Sequence, residues 1–270
     1  MKPFAYARPG TLDDVFALLD QHGPAAKLLA GGTDVMVRLR AGRTPPGIVI
    51  DIKKVAALGS DVVEFKTHLR VGARAVMSDL IADERIRRHF PALIEAASVV
   101  GSVQIRNRAT LAGNICNASP AADTAPVLLA HQAVVNLIAA SGARRVPLTE
   151  FFTGPGRTVL TQGEIVESID LPFEPGPSGA AFGRITRRRG VDLATINMCC
   201  LVTGSGETRI ACGAVGPRPF LVRGSKESVL RQVMAQAVPI SDVRGSREYR
   251  QAMLLVMGRR GLEAAGARMR

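Results

Sequence analysis

The sequence predicts an α+β protein in three consecutive blocks, and three observations carry that prediction. Strand-sized apolar runs alternate with amphipathic stretches of helical spacing along the 270 residues. Clusters of small, turn-forming residues separate those runs, at Gly31-Gly32-Thr33-Asp34 and again from Gly101 to Asp123. The segment Pro172-Phe173-Glu174-Pro175-Gly176-Pro177 reads as a linker ahead of a strand-rich final block. A hydrophobic content of 47% against 21% charged residues excludes a disordered chain.

The first block spans residues 1–57. Thr11 is placed to cap a helix carrying Val15, Phe16, Leu18 and Leu19, with Asp13 and Asp14 in its first turn and Gly23-Pro24 as its stop. Ala26 to Ala30 reads as a buried strand entering the glycine turn. Val35 to Leu39 follows as a helix or strand, and Ile48 to Ile52 as a second buried strand. Strand, crossover and strand imply a small parallel sheet.

The second block spans residues 58–175. A strand over Leu69 to Gly72 leads to a helix near Ser78 to Ala82, and Pro91 opens another helix with Leu93, Ile94 and Ala97 on its apolar side. Gly101 to Asp123 reads as a long polar loop, of the length that is usually functional. Thr124 is expected to cap a short helix from Pro126 to His131. Strands follow at Ala133 to Ile138 and Glu164 to Leu171. The third block, residues 176–270, holds expected strands near Ala180 to Thr186, Ala194 to Thr203 and Thr208 to Val215. Its expected helices run from Glu227 to Ala237 and from Ser246 to Gly261, the second presenting Tyr249, Met253, Val256 and Met257 to the core.

Charge and cysteine usage narrow the function classes. The net charge is +12, but aromatics are only 4% of residues, with no Trp and two Tyr, so platforms for stacking bases are scarce. Basic residues are spread along the chain, Arg43 among them, and only Arg187-Arg188-Arg189 forms a tight run, which reads as a solvated or interface face. Nucleic-acid binding is not expected. No apolar run is long enough to span a membrane, and Met1-Lys2-Pro3-Phe4 does not open a secretory signal. Cys116, Cys199, Cys200 and Cys212 lack metal-site spacing, so reduced thiols in a cytoplasmic protein are expected.

The chemistry concentrates in the two small-residue segments. Gly31 and Gly32 follow a strand, where glycine permits positive φ and close backbone approach, so that successive N–H groups can converge on a pyrophosphate. Thr33 and Asp34 add side-chain contacts to phosphate or hydroxyls. The alternative is an ordinary tight turn, and the G-x-G-x-x-G fingerprint is absent. In the second segment Gly113-Asn114 is suited to the same backbone role, while Ser119 and Asp123 offer acceptors to a polyhydroxylated chain. Asp123 also suits capping the helix after it. Paired turns of this kind fit a flavin nucleotide.

Together these segments resemble the flavin-binding subunit of the molybdenum hydroxylases, the xanthine dehydrogenase and aerobic carbon monoxide dehydrogenase type. The resemblance rests on Phe4-Ala5-Tyr6-Ala7-Arg8-Pro9, Ala30-Gly31-Gly32-Thr33-Asp34 and Gln104-Ile105-Arg106-Asn107. It continues through Ala112-Gly113-Asn114 to Asp123, Arg187 to Ala194, and Ser241 to Arg250. Two departures stand out: Ala112-Gly113 where many members have Gly-Gly, and a short stretch from Ser225 to Val238. The resemblance implies a vanillyl-alcohol-oxidase-type fold in two α+β subdomains followed by a C-terminal domain of antiparallel strands and helices. It implies non-covalent FAD, since His22, His68, His89 and His131 all lie outside both turns. The cofactor-binding residues it implies are Leu29, Ala30, Gly31, Gly32, Thr33, Asp34, Val35, Thr110, Gly113, Asn114, Ser119 and Asp123, with Arg184 near the flavin ring. Partners are implied too: a large molybdopterin-binding subunit and a small [2Fe–2S] subunit, assembled as a heterohexamer. Electrons would leave through FAD to NAD⁺, a quinone or O₂. A standalone oxidase of the same fold and a basic nucleic-acid-binding scaffold are the competing readings.

Overall fold

A computed structural model describes residues 3–42 and 46–269; Arg43 and the Met1-Lys2 start fall outside the described residues. The first block folds as β1 (Ala5–Ala7), α1 (Leu12–His22), β2 (Ala26–Leu29), α2 (Val35–Ala41) and β3 (Ile48–Asp51). Thr11 caps α1 by accepting from the Asp14 N–H, and Gly23 ends it at φ +49°. The strands form a parallel sheet in the order β1-β3-β2. The central β3 is buried along its whole length, which explains its uninterrupted Ile-Val-Ile run.

The second block centres on a five-stranded antiparallel sheet in the order β4-β5-β10-β6-β7. Its strands are β4 (Val62–Glu64), β5 (His68–Gly72), β6 (Val134–Ala139), β7 (Gly142–Pro147) and β10 (Ile165–Pro172), with β8 (Phe152–Gly154) and β9 (Arg157–Thr158) as a small separate pair. Between β5 and β6 run α3 (Met77–Ala82), α4 (Glu84–His89), α5 (Pro91–Ser98), α6 (Val103–Arg106), α7 (Leu111–Cys116) and α8 (Thr124–Ala130); α9 (Leu148–Phe151) follows β7. All seven residues of α8 are buried. A helix apolar on every side has to be covered on every side, and α8 packs against α5 on one flank and β12 and β13 on the other.

The third block is an antiparallel sheet in the order β11-β12-β13-β14, from β11 (Ser178–Ile185), β12 (Ile196–Thr203), β13 (Thr208–Gly213) and β14 (Phe220–Gly224). It carries α10 (Val229–Gln236) and α11 (Arg247–Ala267). One apolar core runs through the first two blocks and takes in Ala180, Cys199, Leu201 and Ala211 of this sheet; a second lies under α10 and α11. The third block is therefore joined to the second by shared core as well as by the linker.

Three sequence expectations need correction. The stretch from Gly101 to Asp123 is not a continuous loop, because Ser102 and Thr110 cap the short helices α6 and α7 through their hydroxyls. Thr124 does not cap α8; it is its first residue, and its hydroxyl donates to Asn114 Oδ1 at 2.7 Å. Asp123 occupies the N-cap position without making a side-chain cap bond. On α11 the buried stripe is Arg250, Leu254, Gly258 and Leu262, one step from the expected one; Met253 and Met257 only flank the core and Tyr249 is exposed.

Candidate functional site

The two turns meet across one cleft of about 680 Å³, to which all three blocks contribute walls. At the first turn the glycines do different jobs. Gly32 adopts φ +81°, the left-handed region where a Cβ is disfavoured. Gly31 has ordinary φ, but a Cβ there would stand 1.9 Å from the Arg108 carbonyl oxygen, so only glycine lets the two loops approach. The N–H groups of Gly32, Thr33 and Asp34 have no protein acceptor among the described residues. They are three successive donors at the cleft wall, a feature suited to an anion.

The second segment is organised otherwise. Gly113 is not at positive φ, and its N–H is taken by Thr110 Oγ1 at 3.0 Å; the Asn114 N–H bonds to the Thr110 carbonyl at 3.0 Å. Its glycine leaves room for the Thr110 hydroxyl, which a Cβ would meet at 2.8 Å. The expectation that Gly113-Asn114 offers free backbone donors is therefore corrected: α7 consumes them. What this segment presents instead is side chains, with Asn114, Asn117, Ser119 and Asp123 all on the cleft wall.

Of the residues expected at the site, Ala30 through Val35, Thr110, Gly113, Asn114, Ser119 and Asp123 line the cleft. Leu29 does not; it packs with Leu39 and Val49 beneath the turn. Arg184 is also absent from the wall and lies behind it, where its Nη1 donates to Asp123 Oδ2 at 2.7 Å and to the Val99 carbonyl at 3.2 Å. Asp123 Oδ1 accepts from Asn197 Nδ2 at 3.0 Å. Burial pushes the Asp123 carboxyl above its ordinary range, opposed by Asn197 and Arg184. Cys116 lines the cleft as well, and burial pushes its thiol up to about 12, so it stands there as a small neutral group.

Sequence reasoning missed two parts of the site. Arg38 and Asn117 latch the turns together: Arg38 Nη2 donates to Asn117 Oδ1, and Asn117 Nδ2 donates to Asp34 Oδ1 at 3.0 Å. Arg38 stands four residues after Asp34 on α2, a one-face spacing that was legible, whereas its partner 79 residues away was not. The second part is the segment between β11 and β12, from which Arg188, Val191, Asp192 and Leu193 line the cleft. Its arginine run reads in the sequence as a solvated or interface face; Arg188 is largely exposed and also lines the cleft. Leu28, Ile52, Leu160 and Val166 add apolar lining to the cleft. A cleft with an anion-binding turn, a row of hydroxyl-pairing side chains and an apolar wall fits a nucleotide bearing phosphates, a sugar chain and planar rings. No histidine is among the described residues that line it.

The comparisons agree with this chemistry. Residues 2–174 match the family described as the FAD binding domain in molybdopterin dehydrogenase. The chain is 33% identical to the xanthine dehydrogenase FAD-binding subunit of Escherichia coli O157:H7, over 97% of this chain and 96% of that one. It is 32% identical to the carbon monoxide dehydrogenase medium chain of Hydrogenophaga pseudoflava, over 98% of each. A solved structure of the Hydrogenophaga pseudoflava carbon monoxide dehydrogenase superposes with a TM-score of 0.92 at 31% identity, covering 100% of both chains. Quinoline 2-oxidoreductase from Pseudomonas putida 86 does so with a TM-score of 0.89 at 25% identity, over 99% of each. This chain belongs to the FAD-binding (medium) subunit family of the molybdenum hydroxylases.

Proposed function

We propose that this chain is the electron-exit subunit of a three-subunit molybdenum hydroxylase, holding non-covalent FAD in the cleft between its blocks. The observation that carries the reading is the cleft itself, whose wall combines N–H groups at Gly32 to Asp34, without a protein acceptor among the described residues, with acceptor side chains at Ser119 and Asp123. On this reading Gly32, Thr33 and Asp34 donate to the pyrophosphate. Asp34, Ser119 and Asp123 accept from the ribityl hydroxyls, and the wall from Leu28 to Val166 keeps water off the rings. Arg184 acts on the cofactor through Asp123. Bound FAD supplies the exchange between one-electron and two-electron transfer.

The substrate is oxidised at molybdenum on a large subunit, and a small subunit with two [2Fe–2S] clusters relays electrons here. The acceptor is NAD⁺, a quinone or O₂, and the complex is a heterohexamer. Similarity across nearly the whole length to medium and FAD-binding subunits supports this assignment over a standalone oxidase. The same similarity supports a vanillyl-alcohol-oxidase-type fold, divided at 1–57, 58–175 and 176–270, since each span holds its own principal sheet. Free cysteines among the described residues accord with a reducing, cytoplasmic setting, and no described helix is long and apolar enough to cross a membrane.

The test is the assembled complex with and without its flavin. The flavin-depleted complex is expected to keep passing electrons from organic substrate to a dye reduced at molybdenum, and to lose transfer to its physiological acceptor. Undiminished transfer to that acceptor without FAD contradicts the assignment. Within the chain, Asp123→Ala is expected to weaken FAD retention about tenfold or more with the fold kept; unchanged flavin content removes Asp123 from the site.

A further inference from the structure

The FAD-binding family match ends at residue 174, yet the cleft's second segment is held from beyond that point. Asn197, on β12, is fully buried, and its Nδ2 reaches three acceptors on one short run: the carbonyls of Ala121 (3.3 Å) and Ala122 (3.2 Å), and Asp123 Oδ1 (3.0 Å). The neighbouring strand end completes a cradle. Gly213, paired with Asn197 across β12 and β13, lacks the Cβ that would stand 2.2 Å from Asn197 Oδ1 and 2.9 Å from the Pro120 carbonyl. Ala214, held at φ +61°, donates its N–H to that same Pro120 carbonyl at 2.7 Å. Arg250, from α11, in turn donates to the Ala214 carbonyl at 2.7 Å. A left-handed alanine at this point is a strained conformation retained where the surroundings over-determine it.

We propose that Asn197, with the Gly213-Ala214 strand end, is the positioning group that fixes the 120–123 segment and aims Asp123 into the cofactor cleft. The cofactor site is then completed by the C-terminal sheet. The physical reason lies in the acceptors. Ala121 and Ala122 turn their carbonyls, and Asp123 its carboxylate, toward one buried point, and acceptors so gathered repel one another unless a donor sits among them. Asn197 is that donor, and Arg184 serves the second carboxylate oxygen. This inference rests on the FAD reading above.

The experiment uses the full chain, stripped of flavin, titrated with FAD and followed by flavin fluorescence, with the apoprotein melting temperature measured alongside. Wild-type binding tests the FAD reading; the variants test this one. Asn197→Ala is expected to weaken FAD binding about tenfold to a hundredfold, beyond any change in a control that loosens the same domain junction elsewhere. That control is Arg209→Met, which removes ties from β13 to the Ala130 carbonyl and Glu174. In an Asp123→Ala background, Asn197→Ala is expected to cause little further loss, because the two act as one unit. Arg184→Met addresses the same carboxylate should Asn197→Ala fail to fold, and Arg184→Lys is expected to restore part of its loss. Unchanged FAD affinity in a folded Asn197→Ala or Arg184→Met chain overturns the proposal. So does an equal loss in Arg209→Met, or full additivity with Asp123→Ala.

Discussion

The two turns that meet at the cleft solve one binding problem by opposite means. Gly31 to Asp34 spends its residues on backbone: one glycine for φ, one for close approach, and three N–H groups left without a protein acceptor among the described residues. Thr110 to Asp123 does the reverse, using its backbone donors in the capped helix α7 and projecting side chains. The first therefore resists a side chain at either glycine, most of all at Gly31. The second tolerates change in proportion to how far each side chain is buried and paired. Similar-looking small-residue sequences therefore carry different mutational risks.

That contrast breaks first at Gly31. Gly31→Ala places a methyl inside the Arg108 carbonyl and is expected to cost roughly 3 kcal/mol or more, with FAD binding lost. Gly32→Ala costs less, about 1–2 kcal/mol for a left-handed alanine. Urea unfolding of the apoprotein and flavin content read both. If Gly31→Ala is the milder of the two, the account of close approach is wrong.

A second break comes from behind the second segment, at His131 on the end of α8. Its ring nitrogens are buried without partners, and burial, helped by the charge of Arg209, pushes it down to about 3. Above its ordinary value near 6.5 both folded and unfolded chains hold it neutral, and stability is full. Below 6.5 the unfolded chain takes up a proton that the folded chain refuses, so stability falls as pH drops toward 3. The loss is up to about 1.4 kcal/mol per pH unit. His131→Leu is expected to flatten the stability profile between pH 6.5 and 4.5; an unchanged slope assigns the loss to other groups.

Smaller effects sharpen the comparison. Thr110→Ala removes the α7 cap for about 1 kcal/mol, and Gly113→Ala is expected to match it by displacing the same hydroxyl. Unequal effects would mean that Gly113 serves the ligand directly. Asn117→Ala cuts the exposed latch to Arg38 and Asp34 and is expected to change stability by under about 1 kcal/mol, with faster FAD release as its signature in stopped-flow.

Local chemistry was legible in the sequence and long-range pairing was not. Thr11, Pro91 and the Ile48-Val49-Ile50 run declared a cap, a helix start and a central strand, because each signal lies within a few residues. Strands β1, β4 and β7 were missed because they are largely exposed, and β1 and β4 are only three residues long. The helices α6 and α7 hid among small polar residues whose caps, Ser102 and Thr110, read equally as loop. At the site, the glycine turn was visible as a motif, but the reason for Gly31 is Arg108, 77 residues on. Asn197 carries no motif at all; its role appears only when β12 is laid beside residues 121–123.

The most direct test of the central claim is the absorption spectrum of the purified chain before and after acid precipitation. The account predicts flavin bands that pass into the supernatant and are identified there as FAD. A colourless protein that acquires no such bands when FAD is added contradicts it.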